Sequence, residues 1–446
     1  MSDKPNKLMP DKNVSKVPSS RLARMGKLGS LAGSIAAHAL SNTAGQLLKA
    51  KRPSLQSTLL TTSNASSLAK SLSEMRGAAM KVGQMLSMDA GEFLPAEWEP
   101  ILATLRQGAD AMPKTQLLET LQKNWGANWA NHFKYFSFEP VASASIGQVH
   151  KAQLKNGDWL AVKVQYPGVA ASIDSDVSNI GRLIKMTGML PKGFDIQGIL
   201  DQAKLQLQSE ANYLQEAQYL RQFKQHLQGF EHFVVPDVYN ELSNQEILCM
   251  SFIDGAPIES VIQQSEHEKS TIMSQLFALL LSELFVFSLV QSDPNFANYL
   301  YLPDTKQIAL LDFGACRQIP VAIQTHYQLV ATSMLNQNRE GIETGMRGLK
   351  LIHHSMPEDV REAILNGCLI ASECLQTKNY NIKQSALIQR LYDATKILMQ
   401  HRKAIEPPDF DVALVNRKVS GMVLLANKMQ CSIDLQGLVK NTLDLE

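Results

Sequence analysis

The sequence predicts an α+β fold of two lobes, with helices added before the first lobe and a mainly helical second half. Three observations predict it. Residues 147–165 alternate apolar and polar side chains around Asn156-Gly157, the pattern of two strands joined by a tight two-residue turn. Helical patterns lie on both sides of that region, at 71–90 before it and at 197–228 and 268–290 after it. Short polar motifs of the kind that handle phosphate and metal follow one another in fixed order from Ala142 to Gly314. The 446 residues leave room for two or three domains or lobes. Apolar residues make up 45%, enough for a sizeable core, and the lack of any run of 18 strongly apolar residues argues against a polytopic membrane protein.

The chain opens on segregated charge. Lys12, Lys16, Arg21, Arg24, Lys27, Lys49, Lys51, Arg52 and Lys70 lie between Asp11 and Glu74 with no acidic residue among them. Residues 1–11 are neutral, so against a net +1 the part from Glu74 onward carries −8. A basic head of this kind serves nucleic acid, an anionic membrane surface or an organelle-targeting pathway. Leu28, Leu31, Ile35 and Ala39 recur at about helical spacing in its uncharged centre, and Gly29, Gly33 and Ala37 repeat small residues every four positions. The stretch suits a membrane-contacting amphipathic helix, with a flexible tail, a targeting segment or a spanning helix as the other readings. Its small residues admit a homodimer. Without interleaved aromatics it argues against nucleic acid as the partner.

The later elements follow in order. Residues 55–70 read as a Ser/Thr-rich linker. Residues 71–90 place Met75, Ala79, Val82 and Met85 or Leu86 on one side of a helix, and a second helix is expected over the Trp98–Leu105 run after Pro95. Residues 197–228 read as one long helix rich in Gln, Leu and Glu. Residues 232–252 read as strands, and residues 268–290 as an apolar helix through Leu276, Leu279, Leu280, Leu284 and Phe287. A mainly helical part starts near Val321. Five cysteines without a Cys-x-x-Cys fit a reducing compartment, not a disulfide framework or a structural zinc site.

Four motifs carry the chemistry. Ala142-Ser143-Ala144-Ser145-Ile146-Gly147-Gln148-Val149 has the frame of a kinase glycine-rich loop with alanines in the first two glycine positions. Small residues there let backbone N–H groups approach phosphates. Ala161-Val162-Lys163 has the form of the kinase strand lysine that contacts α- and β-phosphates, and it lies about one hairpin beyond Val149. Asp293 is followed five residues later by Asn298, as in a kinase catalytic loop, where the Asp orients or deprotonates the attacking group and the Asn binds Mg²⁺. Asp312-Phe313-Gly314 follows the apolar Ile308–Leu311 strand, where the Asp holds Mg²⁺. Any one of them reads as well as a turn or a surface residue; in this order and spacing they point to a nucleotide- and Mg²⁺-binding, protein-kinase-like fold. A kinase also needs a carboxylate for Lys163. The 200–225 helix offers Glu210 and Glu216, which lie about 120° apart on one continuous helix.

Departures from an ordinary protein kinase are specific. Gln291 and Ser292 replace the His and Arg before the catalytic Asp, and no Ala-Pro-Glu follows Gly314. The chain resembles instead the UbiB/AarF family of atypical kinases (the aarF-domain-containing, coenzyme Q biosynthesis type) over roughly residues 17–320. The residues that carry the resemblance are Arg76-Gly77-Ala78-Ala79-Met80-Lys81-Val82-Gly83-Gln84-Met85-Leu86-Ser87, which is similar to the family's Lys-x-Gly-Gln helix. Leu94-Pro95, the alanine-rich loop, Lys163 with Gln165-Tyr166-Pro167-Gly168-Val169, and Val17-Pro18-Ser19-Ser20-Arg21 add to it.

The resemblance implies roles. Lys81 and Gln84 would project from an added helix into the active site and cover the place where a protein substrate otherwise binds. Glu216 would pair with Lys163, Glu210 would lie near Lys81, and Ala161 and Met250 would face the adenine. The family's Glu-x-Asp is Glu210-Ala211-Asn212 here, so one carboxylate is replaced. The implied cofactors are ATP and Mg²⁺. The implied function is Mg²⁺-dependent ATP hydrolysis supporting ubiquinone biosynthesis, with ATP or ADP, an anionic membrane surface and prenylated quinone intermediates or quinone-biosynthesis enzymes as partners. The rivals are a true kinase of a lipid or protein and a non-catalytic nucleotide-sensing scaffold. The expected location is the bacterial cytoplasm, peripheral to the inner membrane, or the matrix side of the mitochondrial inner membrane. The expected partition is a basic extension at 1–54, a Lys-x-Gly-Gln helical extension at 55–135, an N-lobe at 136–255 and a C-lobe at 256–446.

Overall fold

The computed structural model describes residues 77–89, 111–186, 196–401, 405–406 and 408–445. The basic head, the Ser/Thr-rich linker, the helix expected over Trp98–Leu105 and the side chain of Gln84 lie outside the described residues. The chain divides into two compact units. One runs to Ala217 and takes in Asp237–Phe252; the other comprises Gln218–Pro236 and Ile253–Glu446.

The first unit begins with helix α1 (Gly77–Asp89). Ala79, Val82, Met85 and Leu86 recur on its buried face and join one core with Val162, Val164, Ile173 and Leu207. The added helix is therefore part of the fold's hydrophobic centre. After α2 (Lys114–Trp125) come β1 (Phe133–Ala144), β2 (Gly147–Leu154) and β3 (Trp159–Gln165). Strand β1 escapes the alternation pattern because its register against β2 shifts at three places, and each shift breaks the period of two. Helices α3 (Val169–Met186) and α4 (Ile196–Glu210) follow, and α5 (Tyr213–His226) begins in this unit and continues in the second from Gln218. Beyond β4 (Phe233–Val234), which belongs to the second unit, β5 (Ile247–Ser251) completes an antiparallel sheet of order β1-β2-β3-β5.

Two expectations in this unit are corrected. The β2–β3 connection is longer than a two-residue Asn156-Gly157 turn. Gly157 N–H donates to the Leu154 carbonyl at 3.0 Å and Leu154 N–H to that of Asp158 at 2.9 Å, so Lys155 and Asn156 form the centre of the turn. Gly157 then sits at φ +102°, the glycine position of a longer hairpin loop. Nor is 197–228 one helix. A continuing helix would bond the Ala211 carbonyl to the Gln215 N–H. Here Gln165 Nε2 donates to that carbonyl at 2.9 Å, and the Gln215 N–H donates to Asn212 Oδ1 at 3.2 Å. Asn212 is the N-cap of a new helix, the role for which Asn is among the best residues. The angle between Glu210 and Glu216 expected for one continuous helix therefore does not apply.

In the second unit, β6 (Ala256–Pro257) leads to α6 (Glu266–Phe285), whose N-cap Ser265 accepts the Glu268 N–H. The apolar helix ends before Phe287 because Ser288 takes φ +56° and turns the chain into β7 (Leu289–Gln291). Then come β8 (Tyr299–Leu302), β9 (Gln307–Leu310) and β10 (Cys316–Gln318). One sheet has the order β4-β9-β8-β6, and β7 pairs with β10. The remainder is mainly helical, as expected: α7 (Val321–Leu335), α8 (Arg339–Gly348), α9 (Glu358–Ser372), α10 (Leu387–Gln400), α11 (Phe410–Met429) and α12 (Leu435–Thr442). Among the described residues no helix is long and apolar enough to cross a membrane.

Candidate functional site

In the first unit the turn Ser145-Ile146 joins β1 to β2, with Ala142 opposite Val149, Ser143 opposite Gln148 and Ala144 opposite Gly147. The alanine-rich loop is thus a regular hairpin. Its retained glycine has a steric reason: a Cβ on Gly147 would collide with the Val164 carbonyl oxygen. Gln148 points inward. Its Oε1 accepts the Met112 N–H at 2.9 Å, and its Nε2 lies 2.8 Å from His150 Nε2. Helix α1 packs on this turn closely enough that a Cβ on Gly77 would meet the Ser145 carbonyl oxygen.

Lys163, on β3, is 5% exposed. Its Nζ donates to both carboxylate oxygens of Glu216, at 2.7 and 2.9 Å, and lies 5.2 Å from the centre of the Tyr213 ring. Lys81, on α1, is 2% exposed and pairs with Glu210 at 2.7 Å. The break between α4 and α5 explains both contacts. Glu210 is the last residue of α4 and Glu216 lies in the first turn of α5, so the kink splays the two carboxylates toward two lysines. Gln165, two residues beyond Lys163, clamps the same break to the end of β3. Ala161 and Met250 are buried cross-strand partners on β3 and β5.

In the second unit Asp293 is half-buried, and its Oδ1 accepts the Asn295 N–H at 3.3 Å. Asn298 ends a short 3-10 turn, and its carbonyl accepts the Leu311 N–H at 3.0 Å. That bond ties it to the segment carrying Asp312. Asp312 Oδ1 accepts the Gly314 N–H at 2.9 Å, and Phe313 packs on Phe223 with ring centres 4.8 Å apart. Asn298, Asp312, Glu283, Gln291 and Phe313 line one small cleft. Asn298 Nδ2 is buried there without a hydrogen-bond partner, a donor that an acceptor such as a phosphate oxygen would satisfy. A carboxylate and a carboxamide supply hard oxygen donors of the kind Mg²⁺ takes, with phosphate completing the set. Among the described residues no cluster of three or more His, Cys, Asp or Glu could hold a metal alone.

The residues that replace the usual His-Arg pair have definite work. Gln291 Nε2 donates to the Asp312 carbonyl at 3.2 Å, and Ser292 Oγ donates to the Ala315 carbonyl at 2.6 Å. Both tie the catalytic-type loop to the Asp-Phe-Gly segment. The sequence reading missed two further groups, Glu283 and Lys418, which lie 3.6 Å apart at 1% and 2% exposure. The Gln291 backbone N–H donates to Glu283 Oε2 at 3.3 Å, which places Glu283 beneath the same loop. Burial pushes the Glu283 carboxyl up to about 7 despite the nearby ammonium. Burial also works against the Lys418 charge, but the Glu283 carboxylate and the Tyr299 hydroxyl hold its pKa above the ordinary lysine value. Glu283 had a signal: it is the one charged residue between Ser270 and Ser292, in a mainly apolar run.

An antiparallel sheet with a strand lysine held by a helical glutamate, and a helical unit carrying Asp-x₄-Asn and Asp-Phe-Gly, define a kinase-like protein. Residues 104–346 match the ABC1 atypical kinase-like domain, and the chain belongs to that family. It is 33% identical to the mitochondrial atypical kinase COQ8 of Saccharomyces cerevisiae, a match covering 96% of this chain and 85% of the yeast protein. It is 31% identical to the mitochondrial atypical kinase COQ8B of Danio rerio, over 95% of this chain and 68% of that protein. Among solved structures, Rv3197 of Mycobacterium tuberculosis in its erythromycin complex matches with a TM-score of 0.58 at 23% identity, covering 92% of this chain and 98% of that one. That likeness is one of fold.

Proposed function

We propose that the chain binds ATP with Mg²⁺ and hydrolyses it, in support of ubiquinone biosynthesis at a membrane surface. The observation that carries the reading is the buried bidentate pair of Lys163 with Glu216, joined by Lys81 on Glu210 at the same helix break. Such lysines are charged, held in place and suited to phosphate oxygens. Lys163 clamps the α- and β-phosphates, and the backbone of the 142–149 hairpin approaches the phosphate chain. Asn298 and Asp312 are the residues that would hold Mg²⁺, and the bound ion would neutralise phosphate charge. Asp293 orients water or another acceptor. Lys81 comes from a helix that covers the hairpin turn, with Gln84 one turn further along the same helix. This favours hydrolysis over phosphorylation of a docked protein.

The quinone pathway comes from the family resemblance, and the named relatives are mitochondrial. We place the chain peripherally on an inner membrane, at the matrix face in a mitochondrion or the cytoplasmic face in a bacterium, with the basic head toward anionic lipid. ATP turnover is to be measured with and without anionic liposomes containing a prenylated phenol. Wild type should turn over and respond to the liposomes, and Asp312→Asn should lose about 10²–10³-fold. Equal turnover in the two proteins would reject the assignment. Phosphate found on the phenol would convert the reading to a true lipid kinase.

A further inference from the structure

Helix α11 lies well beyond residue 346, where the match to the kinase-like domain ends. It nevertheless delivers a buried cation to the segments that carry Asn298 and Asp312. Lys418 Nζ donates to the Tyr299 hydroxyl at 2.7 Å and to Gln291 Oε1 at 3.0 Å, with Glu283 Oε2 at 3.6 Å. Tyr299 follows Asn298 in the chain and lies opposite Leu310, two residues before Asp312, in the β8–β9 ladder. Gln291 passes the contact on, through Nε2, to the carbonyl of Asp312 itself. One helical turn past Lys418, α11 packs on Pro294 so tightly that a Cβ on Gly421 would collide with the proline ring. Pro294 is the residue after Asp293.

An ion pair that only fills a core can be exchanged for apolar side chains with little loss. Two of the three partners of Lys418 are of another kind: Gln291 lies two residues before Asp293 and holds the Asp312 carbonyl, and Tyr299 follows Asn298. We propose that Lys418 is a positioning residue of the metal site, fixing through Tyr299 and Gln291 the backbone on which Asn298 and Asp312 are set. Helix α11 is then a working part of the phosphate-handling centre. The inference rests on the assignment of Asn298 and Asp312 as Mg²⁺ ligands. Lys418 itself touches no reacting group; it acts as the outer-shell partners of metal ligands do, whose loss typically lowers metal affinity about 10–100-fold.

The test uses the full chain and reads the ATP-induced rise in melting temperature as free Mg²⁺ is titrated, alongside ATP binding in EDTA. Lys418→Met should shift the Mg²⁺ midpoint upward about tenfold or more and leave ATP binding in EDTA unchanged. The double variant Glu283→Gln/Lys418→Met removes both charges and preserves folding if the single variant does not fold; it should show the same shift. Tyr299→Phe, which removes one acceptor without altering charge, should shift the midpoint in the same direction. A lowered melting temperature with an unmoved Mg²⁺ midpoint means a purely structural lysine and overturns the proposal. If Asp312→Asn moves the midpoint while the Lys418 variants do not, the metal assignment stands and the proposal falls. If Asp312→Asn leaves the midpoint in place, the metal assignment falls and the proposal falls with it.

Discussion

The two units solve opposite electrostatic problems. In the first, the groups we propose for phosphate are cations, and buried carboxylates hold them: Glu216 grips Lys163 and Glu210 grips Lys81, each at 2.7 Å. In the second, the groups we propose for the metal are a carboxylate and a carboxamide, and the buried cation of Lys418 reaches their segments through neutral go-betweens, Gln291 and Tyr299. The difference follows from what each holder must avoid. A carboxylate can touch its lysine directly because an ammonium donates to carboxylate and phosphate oxygens alike, so the holder and the ligand call on the same chemistry. A lysine that touched Asp312 directly would compete with Mg²⁺ for the same oxygens. Lys418 instead contacts Gln291 and Tyr299.

The largest expected effect breaks the direct contact. Glu216→Ala leaves Lys163 charged, buried and without its carboxylate, which should cost about 3–5 kcal/mol in urea unfolding. Adding Lys163→Met removes the stranded charge and should recover more than half of that loss. A double variant no more stable than Glu216→Ala would show that Glu216 does something other than hold the lysine.

The second effect sharpens the contrast through pH. Burial raises the Glu283 carboxyl from an ordinary 4.5 to about 7. Between those values the folded chain keeps a proton that the unfolded chain has released, so this stabilisation is full below about 4.5 and is lost as pH rises through about 7. At about 1.36 kcal/mol per pKa unit the loss reaches at most about 3 kcal/mol. Glu283→Gln carries no titrating proton and should flatten that slope. Urea unfolding of both proteins at pH 5 and pH 7.5 checks it. A difference between them that does not change with pH would remove Glu283 from the explanation.

What the sequence made legible was whatever local spacing dictates. The Lys163 hairpin, the Asp293–Asn298 loop, the Asp312 strand end and the apolar stripe of α1 each lie within a few residues of their own signal. Contacts between distant segments were not legible. The pairing of Lys418 with Gln291 and Tyr299 joins residues more than a hundred positions apart, and nothing in the Asn416-Arg417-Lys418 run of a mainly apolar helix marks Lys418 out. The α4–α5 break was hidden for another reason. Helical periodicity continues through it, and the Gln165 amide that takes the Ala211 carbonyl comes from another strand. The local hint was Asn212 itself, a capping residue in the middle of a Gln- and Glu-rich run.

The smallest predicted effect concerns that cap. Asn212 stands where the family's acidic motif carries Asp, and its Oδ1 receives an N–H from the first turn of α5, the turn that holds Glu216. Asn and Asp cap helices about equally well, whereas Ala does not. Asn212→Ala should therefore cost about 1 kcal/mol of stability and reduce turnover a few-fold by loosening the turn beneath Glu216. Asn212→Asp should keep wild-type stability within about 0.5 kcal/mol, the small gain of a negative charge at a helix N-terminus being opposed by nearby Glu210 and Glu216. Urea midpoints and turnover of the three proteins compare the cap with the charge. If Asn212→Asp also lowers the Mg²⁺ midpoint of the nucleotide response, the carboxylate matters beyond capping. The first unit would then handle metal with an anion of its own, and the division of labour between the units would no longer hold.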